Sequence, residues 1–281
     1  MVLTFPTQIF PVYFNSFVVP GAAMVSCPGK DWRKFYPAVN TDFSRWVLRS
    51  IIVVKGGSVV LFDTGFGNKQ PESFFEPFQL EGDYNLDGQL QEIGLSKTDI
   101  TDVVLTHLHY DHCGGCLLRE GNKIVPAFPK AKLWISSQQW ETALNPSEEE
   151  KESFLDENIQ PLKDFYNIQF VEEGGYLPGI YFKIANGHTR GQIISLIKLS
   201  EGSLLFGADL FPSSAHLDPE INMAYDIDRA QAKKEKQQVL DECIRNNYVV
   251  AFQHGLFIEA GKVSRVKDQI EVTPVKLESL Q

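Results

Sequence analysis

Long apolar runs are missing from this sequence. Nowhere do the roughly 18 consecutive apolar residues of a membrane-spanning helix occur, so no membrane partner is expected. Cysteine is scarce: Cys27, Cys113, Cys116 and Cys243 are the four in 281 residues, and they fit no disulfide framework. Basic clusters are missing too, and the formal net charge is −10. Such an acidic surface repels phosphate backbones, which argues against nucleic acid as a partner. The opening stretch MVLTFPTQIFPVYF has no basic start, and Pro6 and Pro11 interrupt its apolar residues, so a secretory leader is not expected. These absences leave a reduced, cytoplasmic protein as the simplest reading. No repeat or low-complexity linker divides the chain. One domain is expected over 1–281, with an N-terminal extension to about residue 45 and a C-terminal tail from about 261.

What is present reads as strands and helices in alternation. Residues 46–63 look like two strands joined by a tight turn at Gly56-Gly57. Leu86, Leu90 and Ile93 have helical spacing within 86–97, and DVVLT (102–106) is a short strand of the buried type. AKLWIS (131–136) is a further strand, leading into a helix capped by Ser136 or Ser137. The charged stretch 147–165 reads as helix on a solvated face. Strands follow at 181–186, 203–209 and 248–254, with a long helix over DRAQAKKEKQQVLDECI between the last two, and Ala260-Gly261-Lys262 reads as a hairpin turn. Strands alternating with helices twice over suggest stacked sheets with helices outside.

Histidine is nearly as scarce as cysteine, with six in the chain, yet three of the six fall inside THLHYDHCGG. Strand DVVLT ends at Thr106, so His107, His109, Asp111 and His112 lie on the turn that follows it. On extended backbone, residues two apart point the same way, so His107 and His109 can pinch one ion. Asp111 and His112 can serve a second ion beside it. Imidazole with carboxylate suits zinc first, with manganese, cobalt or iron as alternatives. A solitary histidine is usually a satisfied core or surface residue; here that reading would have to hold three times within six positions. His188, in NGHTRGQ, Asp209 and His254 each close a further expected strand, at the rim where α/β folds assemble their sites. A strand-end aspartate is ordinarily a cap, but beside this motif it joins the metal-binding set.

HLHYDH, the glycine-histidine pair at His188, Asp209 and His254, with LFDTG (61–65) ahead of them, resemble the metallo-β-lactamase superfamily in residue type and order. GAAM (21–24), Trp32 to Pro37, VPAFPKAKLW, ADLFPSSAH and MAYD narrow the likeness to the branch of acyl-homoserine lactone lactonases and methyl parathion hydrolase-like enzymes. The likeness covers roughly residues 17–260. It implies an α/β fold, a four-layer αββα sandwich of two mixed sheets with helices outside. It further implies His107, His109 and His188 on one metal, Asp111, His112 and His254 on a second, and Asp209 bridging both. Asp63 would orient a ligand histidine.

The expected cofactors are two divalent ions, zinc first. The expected chemistry is attack by a metal-bridging hydroxide on an ester or lactone carbonyl of a small molecule, with Asp111 and Asp209 in the machinery and Asp209 returning a proton to the leaving alkoxide. A secreted zinc β-lactamase is disfavoured, because those enzymes lack the bridging aspartate. His216, seven residues past Asp209, is expected at the surface or behind a ligand. Several lactonases carry a substrate-binding tyrosine where this chain has Pro212, and Tyr225 is the residue to replace it. The phenylalanines of PVYFNSF and SFFEPF read as core before they read as the wall of an acyl-chain groove. Cys113 and Cys116 read as small packing residues beside Gly114-Gly115 before they read as a redox pair. The GAAM segment suggests a homodimer in which it covers the partner's site. Phosphotriesterase, glyoxalase II-like thioesterase and mono-iron oxidoreductase chemistry are the rival readings on this fold; a complete ligand set argues against a non-catalytic member.

Overall fold

Alternation with a period of two runs through the strands and assigns each side chain to a layer. The computed structural model describes residues 6–82, 85–267 and 269–280. Its first half supplies β1 (Gln8–Pro20), β2 (Phe43–Lys55), β3 (Ser58–Phe62), β4 (Asp102–Val104), a small hairpin of β5 (Leu117–Glu120) and β6 (Lys123–Pro126), then β7 (Lys132–Ser136) and β8 (Asn167–Val171). The second half supplies β9 (Gly174–Leu177), β10 (Ile180–Ala185), β11 (Gln192–Lys198), β12 (Ser203–Phe206), β13 (Val249–Ala251), β14 (Ala260–Val266) and β15 (Gln269–Val275). Among the described residues one sheet runs β1-β2-β3-β4-β7-β8 and the other β15-β14-β13-β12-β11-β10-β9. Both are mixed: β3, β4, β7 and β8 pair in parallel, as do β12 and β13, and the remaining pairs are antiparallel. Parallel neighbours need crossovers, and helices supply them. Helix Leu86–Glu92 lies between β3 and β4, and helix Arg229–Asn246 between β12 and β13.

The layers follow from side-chain direction. Ile51, Phe62, Val104 and Trp134 of the first sheet face Phe182, Ile193, Leu204 and Phe206 of the second, forming one buried cluster between them. The Phe62 and Phe206 rings meet at 5.3 Å. The neighbours of those residues point the other way: Leu61, Val103 and Leu133 pack outward against Leu86, Leu90 and Trp140. On the second sheet, Leu205 and Val250 pack outward against Leu240 and Cys243 of the long helix. Helix, sheet, sheet and helix are thus four layers around three apolar seams. Each fully buried aromatic or branched residue contributes about 1.5–3 kcal/mol against exposure.

Gly56 and Gly57 both have positive φ, 59° and 87°, as the β2–β3 turn requires. Two other expectations are corrected. Residues 147–165 are not one solvated helix but short turns, among them Asp156–Ile159 and Leu162–Phe165. Pro161 interrupts them, and Ile159 and Leu162 are buried. Ala260-Gly261-Lys262 is not a turn: it lies within β14, where Gly261 pairs with Pro274 and a Cβ would run into Val272. β14 instead pairs antiparallel with β15 as far as Val266 and Gln269, and Lys267, past the end of β14, has a φ of 47°. The segment read as an N-terminal extension contains β1, paired with β2 from Gln8 to Pro20 through a bulge between Tyr13 and Ser16. The expected C-terminal tail likewise contains β15. No helix among the described residues is long and apolar enough to cross a membrane.

Candidate metal centre

Five strands end together at one rim, and each delivers polar side chains there. Asp63 follows β3 directly, and Thr106 and the histidine motif follow β4. His107 and His109 sit in the loop, and the short helix Tyr110–Cys113 carries Asp111 and His112. His188 follows β10, Asp209 lies in the turn Ala208–Leu210 after β12, and His254 follows β13. Asp63 and Ala208 hold left-handed backbone, with φ of 49° and 46°. Such strain is unusual for non-glycine residues and is retained where surroundings over-determine it.

The side chains converge. Ligand-capable atoms of His107, His109 and His188 lie within 4.8 Å of one another, as do those of Asp111, His112 and His254. Asp209 stands between the two sets. Its Oδ2 lies 3.3 Å from His188 Nε2, and its Oδ1 lies 3.1 Å from His254 Nε2. All five histidines are buried, as is Asp209, whereas the Asp111 side chain is 19% exposed, so the cluster opens on that side.

The back of each histidine ring is fixed. Thr106 Oγ1 meets His107 Nδ1 at 3.0 Å, and Glu150 meets His109 Nε2 at 3.1 Å. Asp63 meets His112 Nδ1, Asp226 meets His188 Nδ1, and the Val47 carbonyl meets His254 Nδ1, each at 3.0 Å. These contacts leave one nitrogen per ring aimed inward: Nδ1 for His109, Nε2 for the other four. Asp63 is itself a hub, accepting from the Thr106 amide, the Thr106 hydroxyl and Gln253.

The inward nitrogens fit a cation. Among the described residues His107 Nε2 and His112 Nε2 are buried with no hydrogen-bond partner. Leaving a buried polar atom unpaired costs about 1–3 kcal/mol. His109 Nδ1 and His188 Nε2 face each other at 3.2 Å. Charge is strained in the same way. Burial, with His112 and His109 nearby, drives His107 well below the usual imidazole range. Burial opposes a charge on His112 too, but Asp111, Asp209 and Asp63 outweigh it and raise that ring well above. Burial would raise Asp209, yet His254, His112 and His188 hold its carboxyl well below the usual carboxylate range. One or more divalent cations among these donors relieve both the orphaned nitrogens and the crowded carboxylates.

The model of the metallo-beta-lactamase superfamily matches residues 45–254. The chain belongs to that superfamily. The N-acyl homoserine lactonase of Bacillus cereus is 25% identical over 176 residues, which cover 61% of this chain and 62% of that protein. Among solved structures, a probable metal-dependent hydrolase from Staphylococcus aureus superposes with a TM-score of 0.85 at 23% identity, covering 97% of this chain and 99% of its own. AidC, a dizinc quorum-quenching lactonase solved with a homoserine product, superposes with a TM-score of 0.77 at 21% identity, covering 96% and 95%. At these identities the superpositions establish the metallo-β-lactamase fold.

The remaining candidates fall in three places. Tyr225 lies at the mouth of a pocket whose floor includes His109, Asp111, His188, Asp209 and His254. His216 is buried elsewhere: Nδ1 pairs with Ser213 at 2.9 Å and Nε2 with the Met24 carbonyl at 2.8 Å. Burial, with Lys236 nearby, pushes it down to about 3. That corrects its expected place behind a ligand; it is a neutral strut between two loops. Pro212, for its part, accepts the His254 amide on its carbonyl at 2.8 Å. The core reading of the phenylalanines is also corrected in part, since Phe17 and Phe78 line the pocket beside Phe66, Met24 and Met223.

Both motif cysteines are free and buried. Burial pushes the Cys116 thiol up to about 12, which makes it inert packing. Between them, Gly114 lies so close to the Phe66 carbonyl that no side chain fits. Sequence reasoning missed Glu150, Asp226 and Gln253. Glu150 sits in the acidic run SEEEKE, which reads as solvated, yet it is 3% exposed. Asp226 stood in MAYD without a role.

Proposed function

We propose that this chain is a hydrolase with two divalent ions, zinc foremost, that opens esters or lactones of the acyl-homoserine lactone kind. The observation that carries this reading is a pair of three-residue donor sets flanking Asp209 at the floor of an apolar pocket. Three protein donors in each set leave positions open, as catalytic sites require. Bound there, the ions supply Lewis acidity and a water acidic enough to attack near neutral pH.

The rest of the work falls to side chains. His107, His109 and His188 would hold one ion and Asp111, His112 and His254 the other, with Asp209 shared. Asp209, kept anionic by three histidines, is positioned to take the proton released on attack and return it to the departing oxygen. Tyr225, at the mouth, offers a hydroxyl to a polar group of the substrate. Phe17, Phe78 and Met223 give an acyl chain an apolar wall, which suits the lactone activity named for the Bacillus relative.

The test is metal content of protein purified without added metal, with hydrolysis of an acyl-homoserine lactone, an aryl ester and a phosphotriester measured on the same sample. Two zinc ions per chain with lactone turnover are expected. A single iron and no hydrolysis of any of the three would overturn the proposal.

A further inference from the structure

Lys236 is one of the largest fully buried side chains in the molecule, and nothing in the proposed chemistry uses it. It lies on helix Arg229–Asn246. Its Nζ donates to the Ile221 carbonyl at 2.7 Å and reaches Asn222 Oδ1 at 3.5 Å. A buried ammonium is costly unless it does something its surroundings need. What it holds is a loop with two duties. Asp226, at the loop's end, accepts the Met223 amide on Oδ2 at 2.8 Å and sits behind His188 with Oδ1. Met223 and Tyr225 of the same loop face the pocket.

The preceding residue does the matching job on another loop. Glu235 accepts the Asn186 amide at 2.8 Å and the Gly187 amide at 3.0 Å, directly ahead of His188. Gly187 sits so tightly on Ala232 of the helix that a side chain could not fit. The Gly187 carbonyl in turn accepts the Asp228 amide at 2.9 Å. Successive helical residues diverge by about 100°, so Glu235 and Lys236 reach two loops from one turn.

We infer that Glu235 and Lys236 are positioning residues that set one metal position and the pocket wall together. Glu235 fixes the backbone that presents His188. Lys236 fixes the loop that both orients His188 through Asp226 and carries Met223 and Tyr225. The inference rests on the reading of the cluster as a two-ion site. It assigns the helix to the half of that site built on His107, His109 and His188, and not to the half built on Asp111, His112 and His254.

The test titrates Zn²⁺ into metal-stripped wild type, Glu235→Gln and Lys236→Met against a chromophoric chelator, and measures kcat and KM of the reloaded proteins on an acyl-homoserine lactone. Methionine keeps the length of Lys236 without its charge, and glutamine keeps one acceptor of Glu235. Each variant should weaken one of two Zn²⁺ steps by about 10-fold and leave the other in place, the size of effect typical of groups behind a ligand. Lys236→Met should also raise KM, while Glu235→Gln should not. Two wild-type steps with neither moved in either variant would overturn this inference alone. Equal weakening of both steps would also overturn it, because a merely structural role acts on the whole site. A wild type that takes up no Zn²⁺ would overturn the functional reading and this inference with it.

Discussion

Phe62 and Asp63 are neighbours in sequence, and both are almost completely buried. Phe62 faces Phe206 across the seam between the sheets and needs only a neighbour of the right shape. Asp63 lies one residue further, beyond the end of β3, and is surrounded by donors from Thr106, His112 and Gln253. The same strands therefore build two kinds of interior. Between the sheets, burial stabilises by removing apolar surface from water. At the strand ends burial costs energy, and it is sustained by a closed set of partners with unmatched nitrogens at its centre. Stability should reside in the first region and reactivity in the second.

Substitutions can break that division. The largest effect is expected for Asp209→Ala, which takes the shared carboxylate from both donor sets. Hydrolysis should fall on the order of 1,000-fold or more, beyond the 10–100-fold of residues behind a ligand, with Zn²⁺ content reduced. A variant with full metal and full activity would remove Asp209 from the site. Next, Phe62→Ala should cost about 3–5 kcal/mol of stability through the cavity it leaves. Denaturant unfolding measures that, and Zn²⁺ per folded chain should be unchanged. Coupled loss of metal at low temperature would show that the two regions are not separable. Third, stripping the metal should lower the unfolding midpoint, since a ligand at 100 times its Kd adds about 2.7 kcal/mol. An unmoved midpoint would mean that the strand-end cluster needs no ion to hold its shape.

The two regions were not equally legible in the sequence. The apolar seams show in the period of two, and HLHYDH with His188, Asp209 and His254 shows because rare residues are concentrated at strand ends. β1 and β15 were hidden in apparent extensions, because an edge strand such as Gln8–Pro20 mixes exposed and buried residues and carries two prolines. Gly261 looked like a turn, since glycine for close packing and glycine for positive φ are the same letter. Glu150 and Asp226 are the instructive cases. Each is an ordinary acid in a polar stretch, and only the fold brings it to the back of a histidine 41 or 38 residues away. Partners of partners leave no local pattern.

Asp226→Asn puts that last class to work. It keeps the shape and one acceptor oxygen but gives up the charge that steadies His188. Zn²⁺ affinity should fall about 10–100-fold with little change in unfolding by denaturant. A loss of stability without a loss of affinity would assign Asp226 to the scaffold.

The smallest effect expected is for Tyr225→Phe. The residue is 43% exposed at the pocket mouth, so losing the hydroxyl removes one partly solvated hydrogen bond and leaves the ring in place. Such a bond is worth about 0.5–1.5 kcal/mol, a rise of roughly two- to ten-fold in KM for a lactone. Metal content and stability should not move, because the substitution keeps the ring and leaves the backbone that carries Asp226 unchanged. If kcat falls while KM holds, the hydroxyl acts on the transition state and not on the bound substrate. Tyr225 would then belong with Asp209 in the chemistry. If neither constant changes, the role that Pro212 leaves open is filled by another group at the pocket.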